Sequence, residues 1–139
     1  MILLRCGNKG LEKPASLDKN GKIRDLSSIV KDFDPENISF HTLNKIKRIK
    51  LEEMPEISKS IRIGSCITKP GKFIGIGLNY SDHAAEIGAA IPKEPIVFMK
   101  ATTCISGPND DILIPKNSKK CDWEVEIAFV IGKETKNIS

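Results

Sequence analysis

Two acids and a histidine are the residues best equipped to do chemistry in this chain. In Asp122-Trp123-Glu124-Val125-Glu126-Ile127-Ala128-Phe129 the glutamates alternate with apolar residues. On a strand, side chains two positions apart share a face. Glu124 and Glu126 would then project together, with Cα atoms about 6.5–7 Å apart, while Trp123, Val125, Ile127 and Phe129 face the other way. Paired anions on a partly enclosed surface repel each other unless a cation lies between them. A hard divalent ion such as Mg²⁺ or Mn²⁺ suits such a pair, because these ions prefer oxygen ligands and keep several waters. The same spacing also fits a surface strand carrying two solvated glutamates, and spacing alone leaves both readings open.

The second constellation is Asn79-Tyr80-Ser81-Asp82-His83-Ala84-Ala85-Glu86. If the segment is helical, His83 and Glu86 stand at i, i+3 on one face, where the carboxylate can orient the imidazole through one ring nitrogen. The other nitrogen could then take a proton from water. A plain surface His-Glu pair, worth a few tenths of a kcal/mol, has the same spacing. Lys100 closes the run Ile96–Met99 and could reach an anionic substrate, as could any strand-end lysine. Gly75-Ile-Gly77 is not a dinucleotide fingerprint, since Tyr80 stands where the third glycine is needed. Gly107-Pro108-Asn109-Asp110-Asp111 reads as a turn rather than a calcium loop, because the spaced oxygen ligands and the closing glutamate are missing.

The elements that must position these groups divide near residues 60–70. Before that point, Asn20-Gly21 between short flanks predicts a β-hairpin. Ser27 or Ser28 would cap a brief helix through Ile29, Val30 and Phe33, stopped before Asp34-Pro35. The basic run Lys45-Ile-Lys-Arg-Ile-Lys50 reads as a solvated strand or loop with Ile46 and Ile49 turned inward, and Leu51–Pro70 reads as a connector. From Gly71 the texture becomes strand-like: 72–77, 96–100, 112–114 and 123–131, with one helix at about 81–89 stopped by Gly88 and Pro92. The expected organisation is α+β and mostly β: a small N-terminal module at 1–65, followed at 66–139 by the first part of a larger β domain. The chain stops directly after its longest expected strand, as a cut would leave it.

Composition narrows the function classes. The chain has 139 residues, 40% hydrophobic and 29% charged, which suits a folded core and argues against disorder. No apolar stretch approaches the roughly 20 residues of a membrane span, and the N-terminus lacks a secretory pattern, so the expectation is a cytoplasmic protein with no membrane partner. The net charge of +4 resides in residues 1–70, with 14 Lys/Arg against 9 Asp/Glu. Its densest run has no aromatic residues to stack on bases, so no nucleic-acid partner is expected. Four cysteines, at 6, 66, 104 and 121, lack metal-ligand spacing and are expected to be reduced thiols, several of them buried.

Taken in order, Phe73-Ile-Gly-Ile-Gly-Leu-Asn79-Tyr80-Ser-Asp-His83-Ala-Ala-Glu86, Pro95-Ile-Val-Phe-Met-Lys100, Gly107-Pro-Asn-Asp-Asp111 and Asp122-Trp-Glu124-Val-Glu126 resemble the fumarylacetoacetate hydrolase (FAH) family. The resemblance is nearest to its bacterial branch of 2-hydroxyhepta-2,4-diene-1,7-dioate isomerase, ureidoglycolate lyase and acylpyruvate hydrolase. It covers residues 71–139 strongly and the first 65 residues more loosely. It implies a mixed β-sheet roll, usually dimeric, whose site holds Mg²⁺ or Mn²⁺ on three carboxylates. Glu124 and Glu126 would be the first two metal ligands, the third being expected beyond Ser139. His83 with Glu86 would activate water, and Tyr80 and Lys100 would contact the substrate. The implied activity is hydrolysis or lysis of 2-oxo acids or 1,3-dicarbonyls of the acylpyruvate type, through a metal-bound enolate. Ureidoglycolate lyase, dienoate isomerase and oxaloacetate decarboxylase activities would use the same groups. A non-catalytic binding module of this fold and an inactive, truncated fragment are the rival readings.

Overall fold

The computed structural model describes residues 1–138. The chain partitions into two compact units, one made of Met1–Thr68 with the segment from Ser106 onward, the other of Lys69–Ile105. No helix among the described residues is long and apolar enough to cross a membrane.

The first unit is built on a four-stranded antiparallel sheet. Its strands β1 (Ile2–Cys6), β2 (Lys13–Leu17), β3 (Ile23–Asp25) and, after a helix α1 (Phe40–Arg48), β4 (Glu56–Ile57) lie side by side in sequence order. The expected hairpin is β2–β3, with Leu17 opposite Ile23. Its turn is organised by Asp18, whose carboxylate accepts from the Asn20 and Lys22 amides (2.8 and 3.0 Å) and from the Arg24 guanidinium (2.8 Å). Gly21 closes the turn at φ +69, a left-handed conformation that glycine adopts without a Cβ penalty.

Side chains alternate across this sheet, so each face has its own apolar cluster. One face carries Cys6, Ala15 and Ile23, with Leu4, Leu17, Ile57, Ile61 and Ile63 packed around them. The other cluster comprises Leu26, Val30, Phe33 and Ile46, with Leu3 from β1 and Leu51 and Met54 from the chain after α1. Cys6 is buried and Cys66, Cys104 and Cys121 are exposed, so one thiol is interior where several were expected. Burial, with Asp25 nearby, pushes the Cys6 thiol above its ordinary titration range.

Three expectations for the first unit are corrected. Residues 27–33 form turns rather than a helix. Asp25 takes the Ser27 amide (2.7 Å), the Ile29 and Val30 amides both fall on the Leu26 carbonyl, and Asp32 takes the Phe33 amide (2.8 Å). Aspartates competing for local amides are what disfavour a helix there. The basic run 45–50 lies mostly in α1, whose N-cap Ser39 accepts from Thr42 N–H at 3.2 Å. Ile46 is inward as expected, but through helical spacing, and the lysines and arginine of the last turn face the negative end of the helix dipole. The expected strands at 112–114 and 123–131 are absent: residues 111–138 carry no β-ladder, and Trp123, Val125, Ile127 and Phe129 are exposed rather than buried. A strand requires a neighbour to take its amides and carbonyls. Among the described residues no segment pairs with this one.

The second unit holds an antiparallel ribbon of β5 (Phe73–Gly77) and β6 (Ile96–Lys100), joined through α2 (Ser81–Glu86). β6 matches its expected span, β5 begins one residue later than expected, and α2 ends at Glu86, three residues short of the expected 89. Gly75 lies opposite Phe98, and the aromatic ring occupies the space a Cβ at 75 would need. Ala84 is the buried residue of α2, and Gly88 ends the helical path at φ +67.

Candidate functional site

The turn from β5 into α2 is tight. Leu78 takes a left-handed conformation (φ +49), which costs a bulky residue about 1–3 kcal/mol and persists only where surrounding structure holds it. Tyr80 follows in extended conformation as the N-cap of α2, its carbonyl accepting from the Ala84 amide at 3.2 Å. His83 thus stands within the first turn of a short helix entered from a strand end. Its Nδ1 lies 3.6 Å from Glu86 Oε2, an ion-pair separation rather than a hydrogen bond. The two side chains are 51% and 79% exposed. The sequence-expected i, i+3 pair therefore exists. On β6, Lys100 places its ammonium 5.7 Å from the centroid of the Phe73 ring, its cross-strand partner, a cation–π contact.

Glu124 and Glu126 belong to the first unit, on the exposed stretch described above. With no ladder at 123–131, the alternation that would put both carboxylates on one side is not imposed by backbone pairing. As donors they fit a hard divalent cation, being charged oxygen ligands. They are too few to make a site by themselves, and the described residues assemble no group of three or more His, Cys, Asp or Glu side chains able to hold an ion.

The charged centre that sequence reasoning missed lies at Arg62. Its guanidinium donates to both oxygens of Asp110 (Nε to Oδ1 2.7 Å, Nη2 to Oδ2 2.6 Å) and through Nη1 to Glu12 Oε1 (2.8 Å). Arg62, with the Gly107 amide next, pulls the Asp110 carboxyl down to about 2. Burial acts to raise the Glu12 carboxyl, but hydrogen bonds from Arg62 and from backbone amides, with Arg5 nearby, outweigh it and hold the group below its usual range. The expected turn at 107–111 is present, with the Asp110 amide on the Gly107 carbonyl. Nothing in a Gly-Pro-Asn-Asp pattern reveals an arginine 48 positions upstream.

Residues 72–139 match the family described as "Fumarylacetoacetate (FAA) hydrolase C-terminal". The chain is 53% identical over 138 residues to a protein of Burkholderia ambifaria and 51% identical to one of Burkholderia multivorans, both named as a "Putative hydrolase" or nearly so. The alignments take in 99% of this chain and 49% of each relative, so the chain spans about half the length of the curated relatives it matches. Its fold is similar to the crystal structure of "a putative HpcE protein" from Mycobacterium smegmatis, with a TM-score of 0.60 and 23% identity over 84% of this chain and 41% of that one. The fold is thus α+β and mostly strands, as expected, and shared in part with a protein of the FAH fold.

Proposed function

We propose that this chain is the N-terminal half of a cytoplasmic, homodimeric FAH-family enzyme that hydrolyses or cleaves 2-oxo acids or 1,3-dicarbonyls of the acylpyruvate type. The observation that carries the reading is the match of residues 72–139 to that family, which takes in both the His83–Glu86 pair and the Glu124-Val-Glu126 pattern. The relatives' names agree with a hydrolase in general terms.

Glu86 would orient the imidazole by closing the 3.6 Å gap to Nδ1, leaving His83 Nε2 to take the proton of a water that attacks the carbonyl carbon. Tyr80, the N-cap of α2, and Lys100, the last residue of β6, would contact the substrate's oxygens and carboxylate. Glu124 and Glu126 would contribute two oxygen donors to a Mg²⁺ or Mn²⁺ ion, with further donors in the longer protein. Such an ion supplies Lewis-acid stabilisation of the negative charge that develops on a dicarbonyl oxygen as the carbon–carbon bond breaks.

The test is turnover by a version extended to the relatives' length, with Mn²⁺ or Mg²⁺ and with chelator. Pyruvate release from an acylpyruvate, carbon dioxide release from oxaloacetate and tautomerisation of a dienol acid are measured in parallel. His83→Gln should lower kcat by about 10²–10⁴-fold, the usual contribution of a positioned general base, and Glu126→Gln should raise the Mn²⁺ or Mg²⁺ concentration needed for half-maximal activity. Absence of turnover on all three substrate types would defeat the proposal.

A further inference from the structure

A line of alternating charges runs through the first unit. Asp32 accepts from Arg5 (Nε 2.6 Å, Nη2 3.0 Å), Arg5 Nη2 lies 3.6 Å from Glu12 Oε2, and Glu12 Oε1 accepts from Arg62 at 2.8 Å. Arg62 then grips Asp110 by two parallel hydrogen bonds. Such a fork fixes direction as well as distance. The two arginines differ in what they join. Arg5 ties β1 to the turn at 32, whereas Arg62 ties residue 62 to the turn at 107–110.

Those last two places are the roots of the segment 69–105, which carries Tyr80, His83, Glu86 and Lys100. Backbone packing at the roots is close. A Cβ at Gly107 would collide with the Ile63 carbonyl and lie 3.1 Å from the Gly64 Cα. The outgoing chain is itself stitched to β1, with Gly7 N–H on the Arg62 carbonyl (2.9 Å) and Gly64 N–H on the Arg5 carbonyl (2.8 Å). The returning chain has its Gly107 amide on Asp110 Oδ2 at 2.8 Å. Asp110 is therefore the link through which the returning turn is fastened, and Arg62 is what it is fastened to.

We propose that Arg62 is a positioning residue. By holding Asp110 in a two-point grip it locks the departing and returning ends of segment 69–105 together, and so restricts the conformations open to the groups that segment carries. The β5–β6 ladder already joins Phe73 to Lys100, so the grip acts on the two short spans that lead into and out of that ribbon, and closing them removes the chain entropy those spans would otherwise keep. Lysine has the charge but not the fork, so Arg62→Lys is the discriminating variant. Arg5→Lys, which breaks the other fork in the same charge line, is its control. The catalytic arm of the idea rests on the proposed function; the structural arm does not.

Amide hydrogen exchange on the present chain reads the structural arm. Arg62→Lys should speed exchange at Gly107 and Asp110 at least tenfold relative to Phe33 in the core, and Asp110→Asn should do the same. Arg5→Lys should leave that ratio within twofold of the original. In the extended protein, well below the melting temperatures, Arg62→Lys should lower kcat at least tenfold with KM within twofold, while Arg5→Lys keeps kcat. An unchanged exchange ratio in Arg62→Lys overturns the proposal, and so does an equal kcat loss in both lysine variants. If the parent turns nothing over, the functional reading falls and the exchange ratio alone decides whether the roots are locked.

Discussion

Replacing Phe33 by alanine should be among the most damaging single changes to the first unit. Phe33 has no exposed surface and is the largest buried side chain, set between the turn at Leu26–Val30 and Ile46 of α1. Walls from separate segments cannot all move inward at once, so the void would close only partly. Phe→Ala substitutions in such settings cost about 3–5 kcal/mol. A domain of this size has a total stability of about 5–15 kcal/mol, so the loss is a large share of the whole. The backbone tie from Thr68 N–H to the Phe33 carbonyl (2.9 Å) does not depend on the side chain and survives the change. Phe40→Ala is the comparison, because Phe40 opens α1 with 64% of its surface in solvent and should cost under about 1 kcal/mol. Urea titration followed by far-ultraviolet circular dichroism measures both. Trp123 fluorescence would not serve, since that indole is 87% exposed and senses little of the core. Equal midpoints for the two variants would refute the placement of the core around Phe33.

Two further outcomes follow from local geometry. Ser39→Ala removes the oxygen that accepts the Thr42 amide and should destabilise by about 1 kcal/mol, seen as a lower urea midpoint with unchanged slope. Asp110 titrates near 2 in the fold against an ordinary value of 3.8, so its ionised form favours folding at all pH above about 4. That contribution fades as pH falls through 4 toward 2. Melting curves of Asp110→Asn between pH 5 and 2 should therefore show a shallower acid decline than the parent, and parallel declines would contradict the Arg62 pairing.

What was legible in the sequence was local. Asn20-Gly21 announced its hairpin because only certain residues tolerate the turn's left-handed backbone, and β5, α2 and β6 were readable because glycine, alanine and β-branched residues punctuate them. The His83–Glu86 pair needed only helical spacing. Helix α1 escaped because its charge run drew the reading toward strand or loop, although Ser39, Leu43 and Ile46 stand where a cap and an apolar stripe belong. Strand 123–131 failed for the opposite reason. Its alternation is a proposal to pair, and pairing depends on a neighbour that alternation cannot supply. The Arg62–Asp110 grip was invisible for a related reason, since contacts between distant positions leave no periodicity in a single chain.

One interior thiol among four gives the molecule a built-in reporter of its own breathing. Only the thiolate reacts with alkylating reagents, and Cys6 is both shielded and held protonated by its surroundings. The three surface sulfurs would be consumed first, in an early burst. The slow fourth addition would then tick at the rate at which β1 opens away from its neighbours, so counting adducts by mass over time yields a clock for the sheet with no engineered probe.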